Sequence, residues 1–203
     1  MKRHFLLIAL LVTSTLVVKS QAREDRTSIL DAERAVLSIE LNYTSKLVSD
    51  ALDQKLKESG VKTKSSKGYT IAEGAKFLEV SPENLDYYFK VESKDKTKSI
   101  VYLGFSKGYG NFITPESDPK TWETAKTFLN GLIKYHEQYQ LALDIVVQDK
   151  VVKESEKAWE KSIKDGDDLT KKLEENKKDQ EAKKADVEKQ KALLGDLNGK
   201  KSK

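Results

Sequence analysis

Residues 84–113, NLDYYFKVESKDKTKSIVYLGFSKGYGNFI, predict a β-hairpin at the centre of the fold. Two runs alternate apolar with polar side chains, which is the pattern of strands with one buried face. The residues of the buried face are Leu85, Tyr87, Phe89 and Val91 in the first run and Val101, Leu103 and Phe105 in the second. The polar residues 93–97 between the runs suit a hairpin loop. Because an isolated hairpin is only marginally stable, the rest of the chain must supply partners for it.

Residues 1–22 have the features of a cleavable signal peptide. Lys2 and Arg3 form a basic start, residues 5–18 are mostly apolar, and Ser20-Gln21-Ala22 resembles a cleavage site. We expect cleavage after Ala22, because the apolar run is shorter than the roughly 20 residues of a membrane span. The chain has no cysteine, so a lipobox thiol, disulfides and thiolate metal sites are excluded. The sequence therefore predicts a periplasmic or secreted protein with no membrane span after cleavage.

The charge of the chain gives little support for nucleic-acid binding once the leader is set aside. The whole chain carries 37 Lys and Arg against 33 Asp and Glu, a net charge of +4. Three of the bases, Lys2, Arg3 and Lys19, lie in the leader, which leaves 34 bases against 33 acids. A mature chain so close to neutral lacks the basic footprint of a nucleic-acid-binding protein. We therefore expect no nucleic-acid partner.

Residues 23–118 predict an α+β head with a mainly antiparallel sheet packed by helices. The predicted elements before the central hairpin are a polar lead-in over residues 23–31, a strand over 35–41, a helix from a cap at Thr44 or Ser45 to Gly60, a strand over 61–65, and a strand over 69–80 with a bulge near Gly74. The strands alternate instead of running continuously apolar, which argues against a parallel sheet covered on both faces.

Residues 119–148 predict a helix that packs on the head or on a neighbouring segment. Pro119 suits the first helical turn after a cap at Ser117 or Asp118. Apolar or aromatic positions then recur at spacings of three and four, at Trp122, Ala125, Leu129, Leu132, His136, Tyr139, Leu143 and Val146. Such a stripe is typical of the face that a helix buries.

Residues 149–203 predict a charged helical extension that resembles a coiled coil. They hold 16 lysines and 14 acids, and acids repeatedly precede lysines by four, as Asp179 precedes Lys183, which favours a solvated helix. A thin seam runs through Leu173, Asn176, Gln180, Lys183, Val187, Gln190, Leu194 and Leu197. Half of these eight positions are polar, which argues against a self-sufficient coiled coil.

The run Asp165-Gly166-Asp167-Asp168 can reverse the chain inside the extension. Gly166 would end one helix, and an aspartate would cap the next. We favour a helical hairpin over one continuous helix, because a hairpin gives the leucines and valine of the extension something to pack against. The residues that we predict to mediate interaction are Trp159, Leu173, Val187 and Leu194.

A G-x-S-x-G match at residues 104–108 raises the question of hydrolysis. Ser106, Asp118 and His136 follow the order Ser, Asp, His of α/β-hydrolases. That motif requires a sharp turn from a strand into a helix above a parallel sheet, whereas residues 108–113 do not start a helix readily. His136 lies on an apolar stripe, where a packed ring is expected, and a zinc ion there would lack histidine and cysteine partners. We therefore expect no catalytic, cofactor-binding or metal-binding residues.

Three stretches of the chain resemble an uncharacterised group of exported proteins from Bacteroidota. They are LDYYFKVESKDKTKSIVYLGFSKGYGNFI, TAKTFLNGLI and ENKKDQEAKKADVEKQKALL. The resemblance extends from Val36 to Leu194. It implies the periplasm or cell envelope of a Gram-negative bacterium. It carries no activity and no active-site residues to transfer.

These observations lead to the expectation of a non-enzymatic exported envelope protein, in which a helical arm binds a protein partner or a second copy. The alternative is a small-ligand domain that binds lipid or glycan in a pocket between the sheet and the helix of residues 119–147. A hydrolase that uses Ser106 is the third hypothesis. A local concentration of lysines leaves peripheral membrane contact open, although lysines also protect edge strands from aggregation; they are Lys55, Lys57, Lys62, Lys64, Lys67 and Lys76.

Overall fold

The computed structural model describes residues 21–201, which form a six-stranded antiparallel sheet and two helices. The elements are β1 (Arg23–Ile29), β2 (Ala32–Leu41), α1 (Ser45–Glu58), β3 (Lys64–Ser66), β4 (Tyr69–Lys76), β5 (Asn84–Ser93), β6 (Ser99–Ser106) and α2 (Pro119–Lys201). The strand order is β1-β2-β6-β5-β4-β3. The predicted α+β class with a long C-terminal helix is confirmed. The predicted signal peptide lies outside the described residues, apart from Gln21 and Ala22.

The predicted central hairpin forms, with its loop one residue later than predicted, between Ser93 and Ser99. β5 and β6 pair from Asp86 opposite Ser106 to Ser93 opposite Ser99. Within the loop, Asp95 Oδ1 accepts a hydrogen bond of 2.7 Å from the backbone N–H of Thr97. An aspartate that bonds the backbone two residues later stabilises a tight turn. The loop therefore supports the pairing that the alternating side chains require.

The main core lies between one face of the sheet and the helices α1 and α2. Both predicted rows of the hairpin are buried there, except that Val91 is only partly buried. Aromatic rings from the two layers meet edge-on, with 4.9 Å between the centroids of Phe77 and Phe128. Phe105 and Trp122 lie 5.6 Å apart. Burial of these large rings supplies much of the hydrophobic stabilisation of the fold.

The polar lead-in predicted over residues 23–31 is instead an edge strand, β1. It pairs with β2 from Arg23 opposite Ser38 to Ile29 opposite Ala32. The turn between them has two residues with positive φ, Leu30 at 52° and Asp31 at 62°, as a two-residue hairpin turn requires. An exposed edge strand is held by backbone hydrogen bonds and needs few apolar side chains, so apolar patterning does not reveal it.

Strands β3 and β4 differ from their predicted bounds. The strand predicted over residues 61–65 forms at Lys64–Ser66, and β4 ends at Lys76 instead of residue 80. The predicted bulge is present, because the register with β5 shifts between Ala72 and Ala75. The intervening Gly74 has a φ of 54°, and its N–H donates to Asp86 Oδ1 at 2.7 Å.

Both ends of helix α1 follow the predicted signals. The Thr44 hydroxyl accepts a hydrogen bond of 3.3 Å from the backbone N–H of Leu47, as an N-cap does. At the other end Gly60 has a φ of 72°, and the N–H of Val61 returns to the carbonyl of Leu56 at 2.9 Å. The left-handed backbone conformation at Gly60 ends the helix. Glycine suits this position because a residue with a Cβ would be strained there.

Helix α2 is continuous from Pro119 to Lys201, so the predicted helical hairpin at residues 165–168 is wrong. Gly166 lies inside the helix, where its carbonyl accepts a hydrogen bond of 2.9 Å from Thr170 Oγ1. A glycine in a helix interior costs only about 1 kcal/mol relative to alanine. Neighbouring good helix formers and spaced ion pairs, such as Asp179–Lys183 at 2.8 Å, offset that cost.

The chain divides into two compact units, with the division after Ala142. The first contains the sheet, α1 and the start of α2; its buried stripe on α2 reaches only His136. The second, residues 143–201, is a single helix, which we call the arm. Leu143 and Val146, predicted to lie on the buried stripe, are 40% and 68% exposed. Within residues 21–201, no helix is both long and apolar enough to cross a membrane.

Candidate functional site

Ser106 is the last residue of β6 and is fully buried. Its hydroxyl donates to Asp86 Oδ2 at 3.4 Å and accepts from the Gly108 N–H at 3.3 Å. Gly104, two residues earlier, leaves room for the Ile29 side chain, because a Cβ at this position would lie 2.5 Å from Ile29 Cδ1 and one of the two would have to move. The G-x-S-x-G match is thus explained by a close approach between β6 and β1 and by the turn after the strand.

His136 is held between two backbone carbonyls. Nδ1 lies 2.6 Å from the carbonyl oxygen of Leu132, and Nε2 lies 3.3 Å from that of Val48. A neutral ring carries one N–H, and the shorter distance assigns it to Nδ1. Burial lowers the pKa of the ring, and the two carbonyls partly oppose that shift. Neither nitrogen is directed at Ser106, so His136 is not placed to act as its base.

Asp118 caps helix α2. Its Oδ1 accepts a hydrogen bond of 3.1 Å from the backbone N–H of Thr121, and this bond lowers the pKa of the carboxyl. Lys107 lies 3.7 Å from the other oxygen. Ser106, Asp118 and His136 therefore each have separate structural partners and do not form a hydrogen-bonded chain. In the described part of the chain, no group of three or more His, Asp or Glu residues could hold a metal ion.

The second face of the sheet carries its own small apolar cluster. Its buried members are Ile29, Val36, Ile71 and Tyr88, and Tyr69, Tyr102 and Phe112 pack against them while remaining partly exposed. Tyr88 lies on the face of β5 opposite the predicted buried row, and it is buried as well. Two cations lie over rings of this cluster, with Arg34 Cζ 4.9 Å from the Phe112 centroid and Lys90 Nζ 5.5 Å from that of Tyr69.

The two edges of the sheet meet on this second face. The Tyr69 hydroxyl, at the start of β4, donates to the carbonyl of Ser28 in β1. Lys67 Nζ, in the turn before β4, lies 3.3 Å from Asp31 Oδ2 in the β1–β2 turn. The sheet is therefore curled. A cavity of about 250 Å³ lies at this junction, lined by Ser28, Ile29, Leu30, Asp31, Ser66, Lys67, Tyr69, Ile71, Tyr88 and Lys90.

Sequence patterns did not reveal this cavity, because its two sides are distant in the chain. The signals that could have pointed to it are local. Gly104 stands in an otherwise apolar strand, which indicates a close approach by another segment. Tyr69 follows the turn residues Lys67 and Gly68. Neither signal identifies β1 as the partner.

Aromatic side chains fill the layer between the sheet and α2, and an open cavity of about 420 Å³ lies beside this layer, lined by Phe128, Tyr135, Lys55 and Glu79 among others. Phe128 of α2 lies against Phe77 and Phe89, and Tyr87 is fully buried beside them. Burial raises the pKa of Tyr87 to about 12. A ligand cannot enter the aromatic layer without displacing the rings, and the cavity on the second face is more enclosed than the one beside α2.

The lysine concentration predicted near the end of α1 is partly neutralised. Ion pairs join Lys55 to Glu79 at 2.8 Å and Lys64 to Glu73 at 2.6 Å, in addition to the Lys67–Asp31 pair. Such pairing reduces the attraction of this surface to anionic lipid headgroups.

Tyr135 of α2 joins the end of α1 to this region. Lys55 Nζ lies 5.5 Å from the centre of the Tyr135 ring, and the Tyr135 hydroxyl donates to Glu58 Oε2 at 2.9 Å. Burial and the neighbouring Glu58 carboxylate raise the pKa of this hydroxyl to about 12. These contacts give the lysine-rich surface a role in holding the two helices together.

The four predicted interaction residues all lie on the arm and are exposed. The exposed fractions are 66% for Trp159, 55% for Leu173, 49% for Val187 and 58% for Leu194. Further exposed apolar side chains of the arm are Leu143, Ile145, Val146, Val147, Val151, Val152, Ile163, Leu169, Leu193 and Leu197. Their number is unusual for a surface that meets only water. The arm is therefore the candidate interaction site.

Comparison with protein families, with curated proteins and with solved structures gave no match to this chain.

Proposed function

We propose that this chain is a non-enzymatic exported protein of the cell envelope, whose arm binds a protein partner. One observation carries the proposal: large apolar side chains, including Trp159, stand exposed along a single helix of residues 143–201. Burial of such side chains on association is favourable by about 25 cal/mol for each Å² of apolar surface. The signal-peptide pattern and the resemblance to exported proteins of Bacteroidota support the proposed location in the cell envelope.

The surroundings of the reactive side chains support a non-enzymatic role. The Ser106 hydroxyl is buried against Asp86, and both ring nitrogens of His136 face carbonyls. A nucleophile must reach its substrate and a base must reach the nucleophile, and neither condition is met by this pair. Ser106 and His136 therefore do not form a nucleophile and base pair.

The experiment is affinity capture from envelope extracts with the exported chain and two quadruple variants. The first replaces Trp159, Leu173, Val187 and Leu194 with serine. The matched control replaces Lys157, Lys164, Lys171 and Lys178 with serine, on the opposite side of the same helix. We expect the first variant to lose its partner and the control to keep it. Equal capture and an equal oligomeric state for all three chains would contradict the proposal.

A second candidate function is binding of a small glycan in the cavity on the second face. Tyrosine rings beside lysine and serine side chains suit a sugar, and about 250 Å³ would hold one ring or two. Thermal-shift screening with envelope glycans and lipids tests it. A shift that disappears in Lys90→Ala, at the cavity, and persists in Lys62→Ala, outside it, would favour this function. No shift with any ligand would count against it.

A further inference from the structure

Eight of the fourteen large apolar side chains that are exposed between Leu143 and Leu197 fall into a seven-residue repeat. The first position of the repeat falls at Ile145, Val152, Trp159, Gly166, Leu173, Gln180, Val187 and Leu194. A second position, three residues later, falls at Gln148, Ser155, Ser162, Leu169, Asn176, Lys183, Gln190 and Leu197. These are the a and d positions of a heptad repeat, and together we call them the seam. All four predicted interaction residues lie at a positions.

Charged side chains are almost absent from the seam. One of its sixteen positions, Lys183, is charged, whereas 26 of the other 37 residues from Ile145 to Leu197 are Lys, Asp or Glu. If every face of the arm met water, no physical force would separate charged from uncharged side chains in this way. The sorting indicates that the seam leaves water when a partner binds.

The strict period of seven also restricts the shape of that partner. On a straight α-helix a seven-residue repeat drifts by about 20° in each heptad, which amounts to about 140° over the seven intervals from Ile145 to Leu194. A flat protein surface would contact only part of such a stripe. A second helix that winds around the arm with a left-handed supercoil can follow all of it. The length of the seam is about 80 Å.

We infer that the partner is a second copy of this chain, with the two arms parallel and in register. This inference rests on the proposed function and names the partner. The orientation follows from the charges that flank the seam at the e and g positions. In the middle of the arm, e is Lys177, Lys184 and Lys191, and g is Asp179 and Asp186.

A parallel pair brings opposite charges together at these positions. Each g residue faces the e residue five places later in the other chain, so Asp179 meets Lys184 and Asp186 meets Lys191. Because the dimer has two-fold symmetry, each of these ion pairs occurs twice. The unfavourable exception is Lys172, at a g position, which meets Lys177. Four attractive contacts thus stand against two repulsive ones.

An antiparallel pair centred on the same residues brings like charges together. In that orientation e positions face e positions and g positions face g positions. Lysines such as Lys177 and Lys191 would meet each other, and Asp179 would meet Asp186. Exposed pairs of this kind contribute little to affinity, but they select between two orientations that bury the same apolar surface.

The polar residues of the seam set its register and limit its strength. In the parallel in-register pair Asn176 meets its own copy, and two amides can bond each other there. Lys183 also meets its own copy, which disfavours tight association. A polar residue buried in the seam of a coiled coil costs stability, and Asn176 is best paired with its own copy when the two chains are in register. We therefore expect a dimer that dissociates on dilution.

Cysteine cross-linking on the full exported chain tests the inference, because the chain contains no other thiol. The variants are Trp159→Cys and Val187→Cys in the seam, with Lys178→Cys as the control on the opposite face. Positions 159 and 187 are about 42 Å apart along the helix. An antiparallel pair can bring at most one of them against its own copy, whereas a parallel in-register pair brings both.

We expect both seam variants to form disulfide-linked dimers under mild oxidation, and the control to remain largely monomeric. Cross-linking of only one seam variant would overturn the parallel orientation, and equal cross-linking of the control would overturn the seam as the interface. A monomer at every concentration in sedimentation would overturn the homodimer. If that monomer still captured an envelope protein through Trp159, Leu173, Val187 and Leu194, the proposed function would stand and the self-pairing would fail.

A charge exchange tests the orientation independently of thiols. One chain carries Lys184→Glu and Lys191→Glu, and the other carries Asp179→Lys and Asp186→Lys. Each variant alone places like charges across a parallel pair, whereas a mixture places opposite charges at all four contacts. We expect the mixed dimer to be enriched about tenfold over the two self-pairs. A statistical mixture would overturn the assigned contacts.

Discussion

The backbone N–H of Ala22 donates a hydrogen bond of 2.8 Å to Asn130 Oδ1 in helix α2, and the methyl group of Ala22 is buried in the main core. The cleavage predicted from the leader pattern falls after Ala22 and would remove this residue. Cleavage after Ser20 would keep the contact and still leave a small residue at the cleavage position. If the leader is cleaved, we therefore expect the mature chain to begin at Gln21, which its intact mass would reveal.

The stability of two chains gives a second test of this contact. A chain that begins at Arg23 should unfold with a free energy about 1–2 kcal/mol lower than one that begins at Gln21, because it lacks the hydrogen bond and the buried methyl group. Asn130→Ala should destabilise the longer chain and leave the shorter one nearly unchanged. Equal urea midpoints for the two chains would show that Ala22 contributes nothing.

Gly104→Ala should destabilise the second face of the sheet. Its new Cβ would lie 2.5 Å from Ile29 Cδ1 and 3.2 Å from Val36 Cγ1, and overpacking of this kind costs about 1–3 kcal/mol. Ile29→Val removes the Cδ1 atom, so the double variant should recover part of the loss. Chemical denaturation of the four chains measures this coupling. Additive effects would mean that β1 does not pack on Gly104 in solution.

His136 should make the fold less stable in weak acid. Because burial lowers the pKa of the ring below its ordinary 6.5, the unfolded chain binds more protons between the two pKa values. The contribution of the neutral His136 ring to the free energy of unfolding is complete above about pH 6.5. It is lost as the pH falls, and the free energy of unfolding then changes by at most about 1.4 kcal/mol per pH unit.

Urea unfolding between about pH 5 and 7.5 measures this dependence, and His136→Leu should flatten it. Carboxyls with lowered pKa values, such as that of Asp118, lose their contribution at lower pH and serve as an internal comparison. An unchanged slope in the variant would assign the pH dependence to other groups.

Ser106→Ala should leave any ester hydrolysis unchanged. The hydroxyl is buried and bonded to Asp86 and Gly108, so its loss should cost about 0.5–1.5 kcal/mol of stability and no turnover. Hydrolysis of a nitrophenyl ester by the two chains measures the effect. A rate that falls by orders of magnitude in a folded variant would restore the hydrolase hypothesis.

Gly166→Ala should increase the thermal stability of the arm. Gly166 is helical, so alanine should stabilise the helix by about 1 kcal/mol. The matched control is Gly110→Ala, which should destabilise the fold because Gly110 has a φ of 74°. Thermal melts followed by helical circular dichroism distinguish the two. A loss of helix content in Gly166→Ala would indicate that the chain reverses at this glycine.

The elements that could be predicted from the sequence are those whose signals are local. Alternation in the central hairpin, the Thr44 cap, the left-handed Gly60 and Pro119 at the start of α2 each act within a few residues. The chemistry of such a cap or turn depends little on the rest of the chain, so these predictions agree with the structure. Trp159 and Leu194 are exposed, and their role as interaction residues stays a prediction.

The tertiary structure decided the features that depend on distant segments. The edge strand β1 is held by backbone bonds to β2, the cavity forms where Tyr69 reaches Ser28, and Ser106 is buried by the strands around it. None of these follows from periodicity, because burial depends on which segments meet. The continuity of α2 through Gly166 is different, because the arm is exposed along its length: there the helix propensity and the spaced ion pairs of the neighbouring residues outweigh the glycine's cost of about 1 kcal/mol, and the local turn signal misled the prediction.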